Sequence, residues 1–314
     1  MAESCEVEKV ESKRLGWATI GAFPKLRPSR PADWGLVVTV CIAAICEQGR
    51  GIVLASDMMT SMGWVSGDAK AAKTARISRN WYTMFSADDV SPVEPIIAKM
   101  KEKLKEPPNE ISAVIKAVTE AYQEQLRAEA TDKVLARYGW TLESFLADGY
   151  RALGPESFAD VRKQYETVKL DCEFMVCGFD FDHEAHIFTV SDPGISKDRS
   201  MTGFWAIGSG EYMALASLMA RRQLIPTQSI EKTAYYVCEA KFLAEVASDG
   251  GKTTMLLAHK SPPNGQDEVS FLVVQHLAPV KEAWEKEVKG REPSEIENTM
   301  KSCPKWQALP AYPT

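Results

Sequence analysis

The stretch TVCIAAICEQGRGIVLASD, residues 39 to 57, decides the fold. It consists of two apolar runs rich in β-branched residues, which flank a polar turn that contains Gly49 and Gly51. The second run stops at Asp57. Two such runs on either side of a glycine-containing turn predict a β-hairpin.

The composition of the 314 residues is that of an ordinary soluble globular protein, with 45% hydrophobic and 25% charged residues. The net charge of -6 provides no global basic field for a nucleic acid. Basic residues ahead of residue 36 could begin a secretory signal. However, no small-x-small cleavage site with a clear mature start follows them, and the apolar run is instead followed by a turn and a matched second strand. No run approaches the roughly 18 apolar residues of a membrane span. We therefore expect neither a nucleic acid nor a membrane among the partners.

The cysteines are seven, an odd number, and they are scattered through apolar segments. We interpret them as buried, reduced thiols of a cytoplasmic protein. Cys41 and Cys46 are five residues apart, as are Cys172 and Cys177. On a strand this spacing points two side chains to opposite faces, so a zinc site at either pair is disfavoured.

Two further motifs contain residue types that occur in cofactor or metal sites. The segment IGSGEYMA contains a Gly-x-Gly but no third glycine, so it does not predict a dinucleotide site. His183 and His186 lie at the ends of a predicted turn, and with only four histidines in the chain a metal pair there is disfavoured. We predict no cofactor and no metal.

The rest of the chain alternates blocks of strands with blocks of helices. Short strands are predicted around 76–78 and 81–86, with a loop before them, and hairpin strands at 172–180 and 185–192. A strand and a helix follow within 203–222, and a last strand at 268–277. Helical patterns cover about 92–105, 109–137, 228–247 and 280–288. Strand blocks followed by helix blocks favour the α+β class. Two antiparallel sheets packed face to face, with helix pairs outside, would bury every apolar face as a four-layer αββα sandwich.

Three parts of the chain are distinguished by pattern. Residues 1–36 mix charges with prolines and lack a sustained period, which predicts a poorly ordered N-terminal extension or propeptide. Residues 37–279 form the main domain, with a helical insert at about 138–167. Residues 280–314 are predicted to form a C-terminal helix and a tail.

Several motifs occur in the order found in one enzyme family. They are the hairpin ending in Asp57, the segment KTARIS, the strand FMVCGFD with its following HIFTVSDPG, and WAIGSGEYMALASLMA. From Thr39 to about Gly251 the chain resembles the proteasome β-type subunits and their bacterial relatives, which are N-terminal-nucleophile (Ntn) hydrolases. The resemblance implies an Ntn-hydrolase sandwich, a threonine-type endopeptidase and a peptide or unfolded protein as substrate. It also implies a homo-oligomeric ring and leaves an ATPase partner open.

The resemblance implies four catalytic residues. The nucleophile matches Thr39 at the head of the first strand, and the aspartate that ends the second strand matches Asp57. The essential lysine matches Lys73, sixteen positions further on, and a serine matches Ser209 after the IGSG turn. A threonine hydroxyl is a poor nucleophile, and its own α-amino group can act as the base when threonine is the first residue. An ammonium at Lys73, held by Asp57, would lower the pKa of the hydroxyl.

Two places depart from the family pattern. Phe85 occupies the position of the oxyanion-loop glycine, so the N–H groups of Phe85 and Ser86 would receive the oxyanion, and a positive φ there would strain the phenylalanine. In the family, an acidic residue and a serine precede a pair of glycines, which Gly250 and Gly251 match here. In this chain the acidic residue and the serine do not stand at the expected distances from that pair. Ser248 and Asp249 are the candidates for these supporting roles in the altered register.

Residues 1 to 38 precede the predicted nucleophile, and Val38 stands where the family has a glycine at its self-cleavage point. We hypothesise that these residues are an upstream over-reading of the gene or a propeptide. Two other interpretations stay open. The chain could be a non-catalytic ring subunit that acts as scaffold or gate, or a small-molecule amidase of the same fold.

Overall fold

The computed structural model describes residues 39–57, 59–62, 65–68, 73–106, 110–222, 225–248, 254–261, 268–272 and 274–289. These residues all belong to the larger of two compact units, which spans residues 36–314. The expected N-terminal extension lies outside the described residues. The described part of the chain has a mixed α/β structure with two five-stranded antiparallel sheets and seven α-helices.

The elements follow in chain order. The strands are β1 (Cys41–Cys46), β2 (Gly51–Asp57), β3 (Met59–Met62), β4 (Val65–Asp68), β5 (Thr74–Ser78), β6 (Trp81–Ala87), β7 (Cys172–Phe179), β8 (Ala185–Ser191), β9 (Ile195–Asp198), β10 (Phe204–Ile207), β11 (Thr254–Lys260) and β12 (Glu268–Leu272). The helices are α1 (Val93–Lys103), α2 (Ile111–Ala130), α3 (Leu142–Leu153), α4 (Pro155–Glu166), α5 (Glu211–Arg221), α6 (Ile230–Ser248) and α7 (Val274–Lys289).

The first sheet has the strand order β10-β1-β2-β11-β12, and the predicted hairpin forms its centre. The hairpin is confirmed, because β1 and β2 pair antiparallel from Cys41↔Ser56 to Cys46↔Gly51. Both faces of β1 are buried: Ile42 packs with the apolar residues of α5 and α6, whereas Ala43 packs with residues of the second sheet. Burial on both faces explains why the sequence of β1 is continuously apolar rather than alternating.

The second sheet has the order β5-β6-β7-β8-β9. One apolar cluster joins this sheet to α1 and α2, and another joins the first sheet to α5, α6 and α7. A third cluster joins the two sheets to each other. The two cysteine pairs fit this arrangement as predicted, since Cys41 and Cys177 belong to the inter-sheet cluster while Cys46 and Cys172 belong to the helix-facing clusters.

The segment before β5 differs from the loop predicted there. Strands β3 and β4 pair with each other in an antiparallel ladder from Met59↔Asp68 to Met62↔Val65. Trp64, which was expected in that loop, lies outside the described residues. This segment has no run of alternating apolar and polar residues, so its sequence predicted a loop rather than two strands.

The last predicted strand, 268–277, is too long. Strand β12 ends at Leu272, and α7 begins at Val274 rather than near residue 280. Leu277 and Trp284 are buried and Val280 is partly buried in the cluster that contains α6. Their spacing of three and four residues is the helical period, so packing against α6 selects helix over the β propensity of this stretch.

The expected helical insert is occupied by α3 and α4. A capping box between Thr141 and Ser144 starts α3. A small apolar cluster packs the insert against the segment that precedes it: its buried members are Phe145 and Val161 of the insert and Val134 and Leu135 just before it. None of the helices in the described ranges combines the length and the apolar character needed to cross a membrane.

Candidate active site

Thr39 lies directly before β1, next to the end of β2. The pairing of β1 with β2 places Val40 opposite Asp57. The Val40 N–H donates to Asp57 Oδ2 at 2.7 Å, and the Asp57 N–H donates to the Val40 carbonyl at 3.3 Å. Asp57 is fully buried. The pairing of the two hairpin strands therefore holds the buried Asp57 carboxylate beside Val40, the residue that follows Thr39.

Lys73 reaches this carboxylate from the second sheet. It lies immediately before β5, and its side chain is 8% exposed. Its Nζ donates to Thr39 Oγ1 at 2.7 Å and forms an ion pair with Asp57 Oδ1 at 2.6 Å. Charge-assisted hydrogen bonds of this length are the strong kind, and they offset part of the cost of burying both charges. The ammonium of Lys73 is thus held between a hydroxyl and a carboxylate.

The IGSG turn covers the other side of Thr39. The Thr39 N–H donates to Ser209 Oγ at 3.1 Å, and the Gly210 N–H donates to the Thr39 carbonyl at 3.2 Å. Gly208 has a φ of +101°, and a Cβ at this position would lie 2.9 Å from the Thr39 carbonyl carbon and overlap its oxygen. Only glycine combines this φ with so close an approach of two backbones.

Phe85 and Ser86 lie near Thr39 but in a regular strand. Both belong to β6 and pair with β7 as Phe85↔Phe174 and Ser86↔Glu173. Phe85 is not among the residues with positive φ, so the condition under which strain was expected there is not met: strand pairing keeps its backbone extended. The Phe85 carbonyl accepts a hydrogen bond from the Cys41 thiol at 3.4 Å. A Cβ at Gly208 would lie 3.3 Å from Ser86 Oγ, so β6 faces the IGSG turn.

The two supporting candidates are placed less fully. Ser248 is the last residue of α6, and Asp249 lies outside the described residues. A charged group that sequence reasoning missed is found three residues before Ser248. Glu245 is buried and forms ion pairs with Lys241 and, at 2.7 Å, with Lys281. The available signal was the Lys241 and Glu245 pair at i and i+4 within an otherwise apolar helix.

Buried charges shape the titration of their surroundings. Burial raises the pKa of the Cys41 thiol, the Asp57 carboxylate raises it further, and the Lys73 ammonium opposes both. Burial also raises the pKa of Glu173, and the negative charge of the nearby Glu211 raises it further. Glu173 is the strand partner of Ser86, and Glu211 follows Ser209 by two residues, so two carboxylates lie close to the Ser209 turn.

The two histidines of the predicted turn have different hydrogen-bond partners. His183 Nδ1 is hydrogen-bonded to Ser261 Oγ at 2.8 Å, whereas His186 Nε2 is hydrogen-bonded to Asp180 Oδ2 at 2.9 Å. Within the described ranges, no group of three or more His, Cys, Asp or Glu side chains has a geometry that could hold a metal ion. What the geometry does assemble is Thr39, Asp57, Lys73 and Ser209: the Lys73 ammonium contacts both the Thr39 hydroxyl and the Asp57 carboxylate, and the Ser209 hydroxyl accepts from the Thr39 backbone N–H.

Comparison with known proteins adds to this geometry at the level of the fold. No protein-family model and no curated protein matches the chain. Among solved structures, one described as an Anbu (Gly-1) mutant from Hyphomicrobium sp. strain MC1 is similar, with a TM-score of 0.57 and 14% identity. The similarity covers 82% of this chain and 99% of the other. The chain is therefore similar in fold to Anbu.

Proposed function

We propose that the chain is a threonine-type endopeptidase in which Thr39 is the nucleophile. The observation that carries the proposal is the position of Lys73 Nζ, 2.7 Å from Thr39 Oγ1 and 2.6 Å from Asp57 Oδ1. Burying an ion pair rarely stabilises a fold more than apolar side chains of the same volume would. A buried pair that contacts an otherwise ordinary threonine hydroxyl is therefore better explained by chemistry than by packing.

The proposed reaction begins with attack of Thr39 Oγ1 on the carbonyl carbon of a peptide bond. The hydroxyl proton passes to the α-amino group of Thr39, while the Lys73 ammonium favours the developing alkoxide. Backbone N–H groups of Phe85 or Ser86 would stabilise the oxyanion. The leaving amine takes up the proton, the C–N bond breaks, and water then hydrolyses the ester on Thr39.

This chemistry needs a free α-amino group on Thr39. We therefore propose that the working chain begins at Thr39, with residues 1 to 38 removed as a propeptide or not translated. The position of Ser209 supports this, because its Oγ lies 3.1 Å from Thr39 N and could relay a proton to or from an amine there. Ser248 and Asp249 are proposed to take the supporting roles of the family's acidic residue and serine in the altered register.

The proposal extends to architecture and assembly. The three apolar clusters support a four-layer αββα sandwich of the Ntn-hydrolase type. We further propose a homo-oligomeric ring in the cytoplasm that acts on peptides or unfolded proteins. Its support is the fold similarity to Anbu and the exposed apolar side chains of α5, which offer a surface to a neighbouring subunit: Tyr212, Met213 and Met219.

The test is hydrolysis of a fluorogenic peptide by single and double variants. Thr39→Ala and Lys73→Ala should each abolish turnover, and the double variant should be no worse, because residues that act as one unit fail together. Thr202→Ala and Lys133→Ala are matched controls, since both change an exposed residue of the same type. Both controls should retain full turnover.

The two competing interpretations, a scaffold or gate subunit and a small-molecule amidase, predict different results for assembly, N-terminal processing and hydrolysis. A scaffold or gate subunit would assemble with an intact N terminus and show no turnover in the unmodified protein. A small-molecule amidase would hydrolyse acylated amines in a Thr39-dependent manner and leave peptides intact. Unchanged turnover in Thr39→Ala would end the assignment of the nucleophile.

A further inference from the structure

Two hydroxyl groups connect the sheets directly beside the candidate active site. Ser56 Oγ and Thr74 Oγ1 are 3.2 Å apart and form a hydrogen bond. Ser56 is fully buried in β2 and precedes Asp57, whereas Thr74 is the first residue of β5 and follows Lys73. We call these two residues the hydroxyl pair. Each of its members is thus the sequence neighbour of one member of the ion pair.

The geometry of the ion pair depends on how the two sheets are aligned. Asp57 ends a strand of the first sheet, and Lys73 precedes a strand of the second. Strands β2 and β5 do not pair with each other, and β3 and β4, which lie between them in sequence, pair only with one another in the described part of the chain. Backbone hydrogen bonds therefore do not fix the separation between Asp57 and Lys73.

Apolar packing between the sheets cannot supply this alignment alone. The inter-sheet cluster consists of hydrophobic side chains, including two thiols and the ring of Tyr82, and hydrophobic burial is non-directional. It sets the distance between the sheets but tolerates small lateral shifts. A hydrogen bond loses strength steeply outside a narrow range of distance and angle. The hydroxyl pair is therefore suited to fix the lateral position of β5 on β2.

We propose that Ser56 and Thr74 are positioning residues that hold Lys73 Nζ against both Asp57 and Thr39. The inference rests on the proposed function of Thr39. A pair with only a structural role could be replaced by apolar groups of the same shape at little loss, because both partners are removed together. A pair that positions Lys73 cannot be replaced in this way without loss of turnover.

The first experiment reads the position of Lys73 without using catalysis. The intact protein is treated briefly with formaldehyde and a borane reductant, and methylation of each lysine is quantified by peptide mass spectrometry. Thr74→Val keeps the side-chain shape and removes the hydroxyl. It should raise methylation of Lys73 several-fold while leaving that of Lys241, a buried lysine of α6, unchanged. Lys241 reports general loosening of the fold.

Two control variants separate the hydroxyl from its surroundings. Thr74→Ser retains a hydroxyl and should restore the protection of Lys73. Thr83→Val removes a hydroxyl from a fully buried position on the adjacent strand β6 and should leave Lys73 protected. Ser56→Ala should match Thr74→Val, and the double variant should show no further increase, because either change breaks the same hydrogen bond.

The second experiment measures kcat and KM for the same variants on the fluorogenic peptide. Thr74→Val and Ser56→Ala should each lower kcat about three- to tenfold, the range expected for one hydrogen bond, with KM unchanged within about twofold. Thr74→Ser should recover kcat. A merely structural role would lower the melting temperature without this division between kcat and KM.

The outcomes distinguish the pair from the wider proposal. Equal rises at Lys73 and Lys241, or none at Lys73, would overturn the positioning role whatever the activity. Selective exposure of Lys73 with unchanged kcat in an active enzyme would overturn it as well. Selective exposure in a protein whose unmodified form hydrolyses no peptide would refute peptide hydrolysis but support the placement of Lys73 by the hydroxyl pair.

Discussion

Removing the carboxylate of Asp57 should destabilise the fold strongly, because it leaves a buried ammonium without its anionic partner. Asp57 is fully buried, the Lys73 side chain is 8% exposed, and their charged atoms are 2.6 Å apart. Asp57→Ala also removes the acceptor of the Val40 N–H. The hydroxyl of Thr39 remains as the described contact of Lys73 Nζ, and a neutral hydroxyl compensates for only part of the lost attraction.

The magnitude follows from the two lost contacts. Breaking a buried ion pair by deleting one partner costs about 3–5 kcal/mol, and an unsatisfied buried N–H costs about 1–3 kcal/mol. Because water can enter the space left by the side chain, the two costs do not add in full, and we expect a loss of about 4 kcal/mol. Adding Lys73→Met removes the uncompensated charge and should recover about 2 kcal/mol or more, although it removes a second native residue.

The assay is urea unfolding, monitored by circular dichroism, of four proteins: the unmodified protein, Asp57→Ala, Lys73→Met and the double variant. Protein concentration is kept constant, since assembly changes apparent stability by mass action. A loss below about 1 kcal/mol for Asp57→Ala would show that the pair behaves like an exposed one, and so would refute the buried geometry. A double variant less stable than Asp57→Ala would refute the reasoning that the orphaned ammonium causes the loss.

Three further predictions concern the turn, the thiols and the insert. Gly208→Ala should cost about 1–3 kcal/mol more than Gly139→Ala in urea unfolding: both glycines have positive φ, which costs a side chain about 1–2 kcal/mol, but of the two only at Gly208 would the new Cβ overlap backbone. Burial raises the pKa of the Cys46 thiol from 9.0 to about 12, so its protonated form favours the folded state. Its contribution is complete below pH 9 and is lost as pH rises to 12, with a slope of at most about 1.4 kcal/mol per pH unit; Cys46→Ala should lack that part of the alkaline slope. Phe145→Ala should destabilise the insert by about 3–5 kcal/mol and speed amide hydrogen exchange in α3 and α4, and equal acceleration in β1 would contradict the separate cluster that contains Phe145.

Much of the sheet structure could be predicted from local pattern. The strands β1, β2, β7 and β8 are apolar runs bounded by glycine or by short polar turns, and each was predicted to within two or three residues of its observed bounds. The cysteine spacing of five correctly predicted opposite faces for Cys41 and Cys46. Such features depend on the period of a single strand, which the sequence displays directly.

Features that depend on contacts between distant segments could not be predicted in this way. The apolar run after residue 268 has strong β propensity, yet packing of Leu277 and Trp284 against the cluster that contains α6 makes its second part helical. The hydrogen bond between Ser56 and Thr74 joins two residues whose local sequence shows only strand propensity. The approach of Gly208 to Thr39 likewise needs the fold to be known.

The candidate site could be predicted from the sequence in part. The residues Thr39, Asp57 and Lys73 were chosen through family resemblance and spacing, and the fold brings their side chains into contact. The buried Glu245 was missed because its position relative to the paired glycines is shifted by one residue from the expected acidic position. Its burial and its two lysine partners become visible only when α6 packs beside α7.

The central claim, that Thr39 is the nucleophile, is tested most directly by mapping a covalent adduct. The purified protein is incubated with a peptide β-lactone, which leaves a stable ester on an activated hydroxyl, and the modified residue is located by peptide mass spectrometry. We predict a single adduct on Thr39, in a peptide whose N terminus is Thr39 itself, and its loss in Lys73→Ala. An adduct on another residue, or an equally modified Lys73→Ala protein, would contradict the assignment.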